Sequence, residues 1–474
     1  MARAQLKFLS GDEEDLIHDQ SIRCLEELGV LVRSPRVLKM LEDAGACVDY
    51  DRQTARISED IVNEAIRKAP GSFTLCSRDS MHDLKIPVSG MPFAATTGLA
   101  NYMTDLETEE RRNANKADLA DFARLADAID SVDFFWTVVV PMDVPDKSHA
   151  LHGLWTSLQN TSKHVQQVEV MDAEDANAQI DLGALLVGGR DALKERPIFS
   201  VVSSPVSPLS FEKGAIEAQV ELSKAGIPIV CMTMPLSGFT APVTVAGTMN
   251  VINVENLASL VISQTAAEGA PFIYSSAGVP ADMRTGSVPS GPAESPPLAA
   301  GVSQLALRYG LPCMAGGWGL CNDTKPGATM ALSEVLSYGT EIYSAVDLTC
   351  GMGSLDGAKG ASLEQVVIDA YTWKNFRPSL RSMVVDEKSV ALDVLKEVGH
   401  GGTFIAHPHT LRNFRDSVFR RDDAILAWEA TLSRGMVAEA KSIVKKLLSE
   451  HRVAELDRSA VEQGDSIIRR YENG

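Results

Sequence analysis

The stretch APFIYSSAGVPADMRTG (270–286), followed after a polar loop by LAAGVSQLALRYG (298–310) and LPCMAGGWGLCND (311–323), decides the fold. It reads as strand, long loop, helix, strand, long loop. Pro271 and Pro312 each open a short apolar run, the place in a strand where a missing N–H costs least. The irregular segments after the two runs hold Arg284, Trp318, Asn322 and Asp323. Loops on a rigid scaffold are where chemistry concentrates.

Working outward, the same joint recurs in KERPIF (194–199), KAGIPIV (224–230), AEGAPFI (267–273) and RYGLPCM (308–314): a polar helix end, often a C-cap glycine, then proline, then strand. Strands are expected over Pro92–Gly98, Val132–Val140, Lys163–Val170, Pro197–Ser204, Pro228–Met234, Pro271–Ser276, Pro312–Gly317 and Ala345–Thr349. Helical patterns separate most of them, among them Lys116–Ile129, Val254–Ala267 and Ala328–Ile342. Eight continuous apolar strands alternating with helices predict an α/β fold, a TIM (β/α)8 barrel. The alternative, a doubly wound open sheet, normally carries a glycine-rich phosphate loop after its first strand. Here GLANYMTDLETEERR (98–112) reads as a hairpin excursion, and neither GxGxxG nor GxxxxGK[ST] occurs. The expected division is an N-terminal mixed helix and hairpin segment (1–90), the barrel (91–360), and a C-terminal helical region packed on it (361–474). The first segment has a Ser10/Glu13 capping box, a Ser34-Pro35 helix start and a hairpin from Cys47, and reads as a cap or dimer arm.

Of 474 residues 45% are hydrophobic and 23% charged, with a net charge of −19. That balance argues against a nucleic-acid partner, which would need a basic stripe. No apolar run approaches the ~20 residues of a membrane span. Seven scattered cysteines with no CxxC predict reduced thiols in a cytoplasmic protein.

A barrel places its site on the loops at the C-terminal strand ends. That rule selects Asn101 and Tyr102 after the first strand, Gln166 and Glu169 at the third, Phe239 after the fifth, Ser275, Ser276 and Arg284 with the sixth, Trp318 and Asn322 after the seventh, and Cys350 and Met352 with the eighth. The set is short of acid–base pairs and rich in amide, sulfur and aromatic groups, which suits positioning and desolvating a ligand. Arg284 reads equally as a carboxylate clamp or a loop ion pair. Trp318 reads equally as a face for a cation or a plug. His407-Pro408-His409 reads as a helix cap, Lys163-His164 as structural, and no metal spacing is present.

Six segments, EDIVNEAIRKAPGSFTLCSRD (59–79), LVGGRDALKERPIFSVVSSPVSPL (186–209), MPLSGFTAPVTVAG (234–247), MRTG (283–286), GLPCMAGG (310–317) and GGTFIAHPHTLRNFR (401–415), resemble the trimethylamine methyltransferase family over nearly the whole chain. The resemblance implies a barrel enzyme that moves a methyl group from an amine to the cobalt of a corrinoid carried on a separate protein, with no metal bound by this chain. Archaeal trimethylamine enzymes of the family carry pyrrolysine. This chain uses only the common twenty residues, which places it with the non-pyrrolysine branch and implies a quaternary amine: glycine betaine first, giving dimethylglycine and methyl-Co(III), then proline betaine or carnitine. A quaternary ammonium leaves as a neutral tertiary amine, so orientation and desolvation suffice. Trp318 is the first candidate for the aromatic cage, with Tyr102, Phe239 and Tyr274 behind it. A barrel that binds quaternary amines without turnover, and an enzyme using a methylated thiol, are the alternatives. A homo-oligomer is the expected assembly.

Overall fold

The apolar runs after the helix ends become eight parallel strands in a computed structural model that describes residues 4–286, 288–289, 291–327, 338–418, 423–431 and 435–473. They are β1 (Phe93–Thr96), β2 (Phe135–Trp136), β3 (Val165–Gln167), β4 (Phe199–Ser203), β5 (Ile229–Thr233), β6 (Phe272–Ser276), β7 (Cys313–Met314) and β8 (Leu348–Met352). They hydrogen-bond in the order β1-β8-β7-β6-β5-β4-β3-β2, and a parallel bridge between Ala95 and Phe134 closes the ring. At that seam Thr96 Oγ1 accepts from Trp136 N at 2.9 Å and donates to Trp136 O at 2.8 Å. The fold is thus a TIM barrel.

Among the described residues, the longer helices that wrap it are α1 (Lys116–Ala128), α2 (His149–Asn160), α3 (Ala173–Val187), α4 (Lys213–Lys224), α5 (Val245–Ala266) and α6 (Ser295–Arg308). After β8 come α7 (Leu363–Phe376), α8 (Met436–Glu450) and α9 (Arg458–Asn473). The helix expected over Ala328–Ile342 lies largely outside the described residues. Helix α5 begins nine residues before the expected Val254, because Thr244 caps it by accepting from Gly247 N at 3.2 Å. It is long and apolar enough to cross a membrane, yet most of it is buried in the helix layer. Strand β8 begins three residues later than expected. Asp347, just before it, accepts from Val88 N and Cys313 N at 2.8 Å each and fixes the strand start.

The barrel interior is filled at its N-terminal end by a hairpin, Phe73–Leu75 with Leu84–Ile86. Leu75, Leu84 and Ile86 join Ala95, Phe134, Trp136, Val202, Val230, Met232, Ile273, Met314 and Leu348 in one apolar cluster. Backbone bonds from Cys76 N to Pro197 O (3.1 Å) and Asp79 N to Ser162 O (3.0 Å) tie this plug to the strand starts. Lys163 also belongs to this end. Its buried ammonium donates to Ala126 O, Ile129 O and Val132 O at 2.7–2.8 Å, satisfying carbonyls where α1 ends. Burial pushes it down to about 8. Neighbouring His164 is held near 4 by burial and contacts Cys76 O and Ser200 Oγ. Both roles are structural.

The N-terminal helix Gly11–Glu27 lies along α5, with His18 Nδ1 3.0 Å from the Tyr309 hydroxyl and Ser21 Oγ 2.8 Å from Asn250 Oδ1. Its small sheet (Val30–Val32, Thr54–Arg56, Cys47–Asp49) gains a fourth strand, Ser210–Phe211, from the loop after β4. Helix α9 packs on α3 and α2. It meets α2 through Gly464, where a Cβ would lie 2.2 Å from the Trp155 ring. Between α7 and α8 the chain leaves the body: no residue from 381 to 418 is buried.

Candidate active site

The C-terminal strand ends form a cup whose floor follows from strand parity. Inward positions alternate, so Trp136 from β2, Gln166 from β3, Val202 from β4, Met232 from β5, Ser275 from β6, Met314 from β7 and Cys350 from β8 share the interior. Gln166 Nε2 reaches Met314 Sδ across the barrel at 3.7 Å. The Trp136 Nε1, Gln166 Oε1 and Ser275 Oγ atoms are buried and lack a hydrogen-bond partner among the described residues. Gly98 lets the backbone cross the Trp136 indole edge; a Cβ there would sit 2.6 Å from Nε1. Among the described residues, the one titratable group on this floor is the Cys350 thiol, whose ionisation burial pushes well up. Such a floor cannot shuttle protons. It offers apolar surface and a few dipoles without a partner among the described residues.

The loops around the cup are pinned from behind by buried carboxylates of the helix layer. Asp175 of α3 accepts from Met171 N (2.8 Å) in the loop after β3. Glu255 of α5 accepts from Ser207 Oγ and Leu209 N (2.9 Å each) in the loop after β4. Asp369 of α7 accepts from Gly353 N (2.8 Å) after β8. Burial raises all three, to about 6 for Asp175 and about 7 for Glu255 and Asp369. In the same way Asn256 grips both backbone groups of Ser275.

The structure sorts the expected site residues by parity and loop path. Gln166 lies inside the barrel. Glu169 stands on the rim, where it pairs with His149 and raises that imidazole to about 9. The two sit in a shallow cavity with Leu99, Thr137, Val139 and Val168. Phe239 and Arg284 are exposed on the loops after β5 and β6, which join through parallel pairing of Leu236–Ser237 with Val279–Pro280. The Arg284 side chain is 90% exposed and its ion pair with Asp282 is 3.5 Å long. Asn101 and Asn322 are exposed on mouth-side loops. Tyr102 belongs to the expected hairpin, Tyr102–Thr104 with Arg111–Asn113, and the Arg111 guanidinium covers its ring at 4.1 Å.

Tyr274, Met352 and Trp318 face away from the cup. Tyr274 has outward parity; it is fully buried under α5 and donates to Asn253 Oδ1 at 2.9 Å. Met352 would face inward in a regular strand, but a bulge between Cys350 and Met352, with Gly351 at φ +135°, turns it into the helix layer. Trp318 is not a free face: Phe376 stacks on it at 4.8 Å, Trp373 lies at 5.0 Å, and its Nε1 donates to Asp369 O at 3.2 Å. The residue sequence reasoning missed is Trp136. Its signal was present in Phe134-Phe135-Trp136, where alternation makes Trp136 share a face with Phe134. Among the described residues no group of three His, Cys, Asp or Glu is placed to hold a metal. The His407 ring accepts from His409 N at 3.1 Å and so caps the helix Pro408–Ser417.

The barrel floor is thus apolar and amide-lined, and the rim above it carries the Glu169–His149 pair and Arg284. The family model of trimethylamine methyltransferase (MTTB) matches residues 2–474, and the chain belongs to that family of corrinoid-dependent, methylamine-type methyltransferases. It is 30% identical to trimethylamine methyltransferase MttB of Desulfitobacterium hafniense over 86% of this chain and 81% of that protein. It is 27% identical to a glycine betaine methyltransferase, also from Desulfitobacterium hafniense, over 86% of this chain and 84% of that one. In fold it is similar to the crystal structure of Methanosarcina barkeri monomethylamine methyltransferase (MtmB), with a TM-score of 0.55 and 12% identity, covering 94% of this chain and 88% of that one.

Proposed function

We propose that this chain moves a methyl group from a small quaternary amine, glycine betaine before proline betaine or carnitine, to a corrinoid carried on a partner protein, releasing dimethylglycine from glycine betaine. The observation that carries this reading is the uncharged floor that Trp136 shares with Val202 and Met232. A quaternary ammonium has no proton to give and leaves as a neutral tertiary amine when the C–N pair departs with nitrogen, so the reaction asks for no general acid or base. The similarity to a glycine betaine methyltransferase supports the substrate class.

The partner's cobalt(I) supplies the nucleophile; the chain's own residues do the rest. Trp136 presents an aromatic surface of the kind that stabilises quaternary ammonium ions. With the methylene and methyl groups of the substrate against Val202 and Met232, out of water, the C–N axis would point toward the mouth. The substrate carboxylate turns to the rim, where Arg284 offers a guanidinium fork. The exposed Met234, Phe239, Val243 and Met283 on the neighbouring loops give the corrinoid protein an apolar rim to approach.

The test is anaerobic conversion of cob(I)alamin to methylcobalamin by the pure protein, followed in the visible spectrum, with glycine betaine, proline betaine, carnitine, choline and trimethylamine supplied in turn. Conversion with a betaine and not with trimethylamine is expected. Conversion with trimethylamine alone overturns the reading. Arg284→Ala should raise KM for glycine betaine at least tenfold and leave choline, which lacks a carboxylate, unchanged.

A further inference from the structure

We propose that residues 383–416 form an arm by which two copies of this chain pair, at the end of the barrel opposite the mouth. The arm is rooted at the N-terminal strand ends. Arg377, where α7 ends, pairs with Asp133 just before β2 at 3.1 Å. Ser382 Oγ donates to Ser89 O, in the approach to β1, at 2.8 Å. The chain then departs and returns to the same point, where Arg381 Nη2 donates to Ser417 O at 3.1 Å.

Between these ties lie three helices, Glu387–Val390, Leu392–Val398 and Pro408–Ser417, and none contains a buried residue. They are locally well made: Asp386 and His407 cap two of them, and His407 Nε2 meets Glu397 at 3.0 Å. Yet Val385, Val390, Leu392, Ile405 and Leu411 are exposed, Ile405 by 79%. So much ordered apolar surface on one excursion calls for a cover.

Charge and position select the cover. From 381 to 418 five Lys and Arg balance five Asp and Glu, so the remainder of the chain carries the whole net charge of −19. Two such bodies repel, and the neutral arm is where they can meet. Arg412 and Arg415 are exposed on the last of the three helices, with Arg415 over the Phe414 ring, ready for the carboxylates of a partner arm. A partner that must come and go during turnover acts at the mouth, on the other end of the barrel. A permanently apolar surface suits a permanent partner, and a two-fold pairing of identical arms closes on itself. This inference does not depend on the substrate.

The experiment is sedimentation velocity of the full chain at micromolar concentration, for the wild type and for the variant Val385→Glu/Leu392→Glu/Ile405→Glu. The wild type should sediment at a multiple of 51.0 kDa. The variant should move at least tenfold in dissociation constant toward the single chain, while methyl transfer to free cob(I)alamin is retained. A monomeric wild type, or a variant with the wild-type mass, overturns the proposal. So does dissociation caused instead by Met234→Glu/Phe239→Glu at the mouth, or loss of corrinoid-protein binding as the arm variant's one defect. Should the charged variant precipitate, hydrogen exchange of the wild type decides. Protection of 385–411 that rises with protein concentration supports pairing, and protection independent of concentration overturns it.

Discussion

The two ends of the barrel both show apolar side chains to solvent, but they are built differently. At the mouth, Met234, Phe239 and Met283 ride on short loops in a cup whose neighbouring loops are fixed by buried carboxylates. At the other end, Val385, Leu392 and Ile405 ride on an excursion that is tied, among the described residues, at its root. The difference teaches that exposure has two meanings. A rigid rim around a desolvated floor is prepared for something that binds and leaves, and a self-contained arm with no bed is prepared for something that stays.

The largest effect should come from breaking the interior between the two ends. Ile86→Ala in the fully buried plug should cost about 2–5 kcal/mol in urea unfolding, because the cavity it leaves is ringed by strands that cannot collapse. Next comes the mouth. Glu255→Ala strands Leu209 N–H and the Ser207 hydroxyl in a partly buried loop, and should cost ~1–3 kcal/mol. It should also slow methyl transfer, whereas Glu255→Gln keeps an acceptor and retains turnover.

The third prediction concerns pH. Burial raises Asp175, Glu255 and Asp369, so the folded chain binds their protons more tightly than the unfolded chain, whose carboxyls titrate near ~4. The contribution of each therefore falls as pH rises from that value to about 6 for Asp175 and about 7 for the other two, and is flat above. Asp369→Asn, which still offers an oxygen to Gly353 N, should flatten the fall of the unfolding midpoint between pH 5 and 7, windows set by those raised carboxyls. An unchanged slope would mean that Asp369 titrates as an ordinary acid. The smallest effect belongs to the arm. Leu392→Ser, measured on dissociated chains, should shift stability by no more than about 0.5 kcal/mol, and a larger loss would mean that the arm has a bed in its own chain.

The barrel was legible because its signal is repeated: a proline after a helix end, then a short apolar run, is written four times in nearly the same letters. The site was legible only as a set of loops. Tyr274 and Trp136 show why: each lies in an apolar run whose inward face depends on one residue of register. Met352 depends on a bulge at Gly351 that the run LTCGM does not announce. Trp318 was chosen for its chemistry, and its neighbours Trp373 and Phe376 arrive from over 50 residues away. The arm's helix starts can be read in Asp386 and His407, but what a helix lies against is not written in its own sequence.

The carboxylates behind the mouth loops grip mainly backbone N–H groups, of Met171, Leu209 and Gly353. Every residue but proline offers that group, so the grip is indifferent to what the loops display. Side chains facing the cup can be exchanged while the loop path is inherited unchanged. A scaffold of this kind lets new donors be tried by substitution alone, and it marks Val202, Met232 and the rim arginine as the positions where an engineer seeking a different methylated amine should begin.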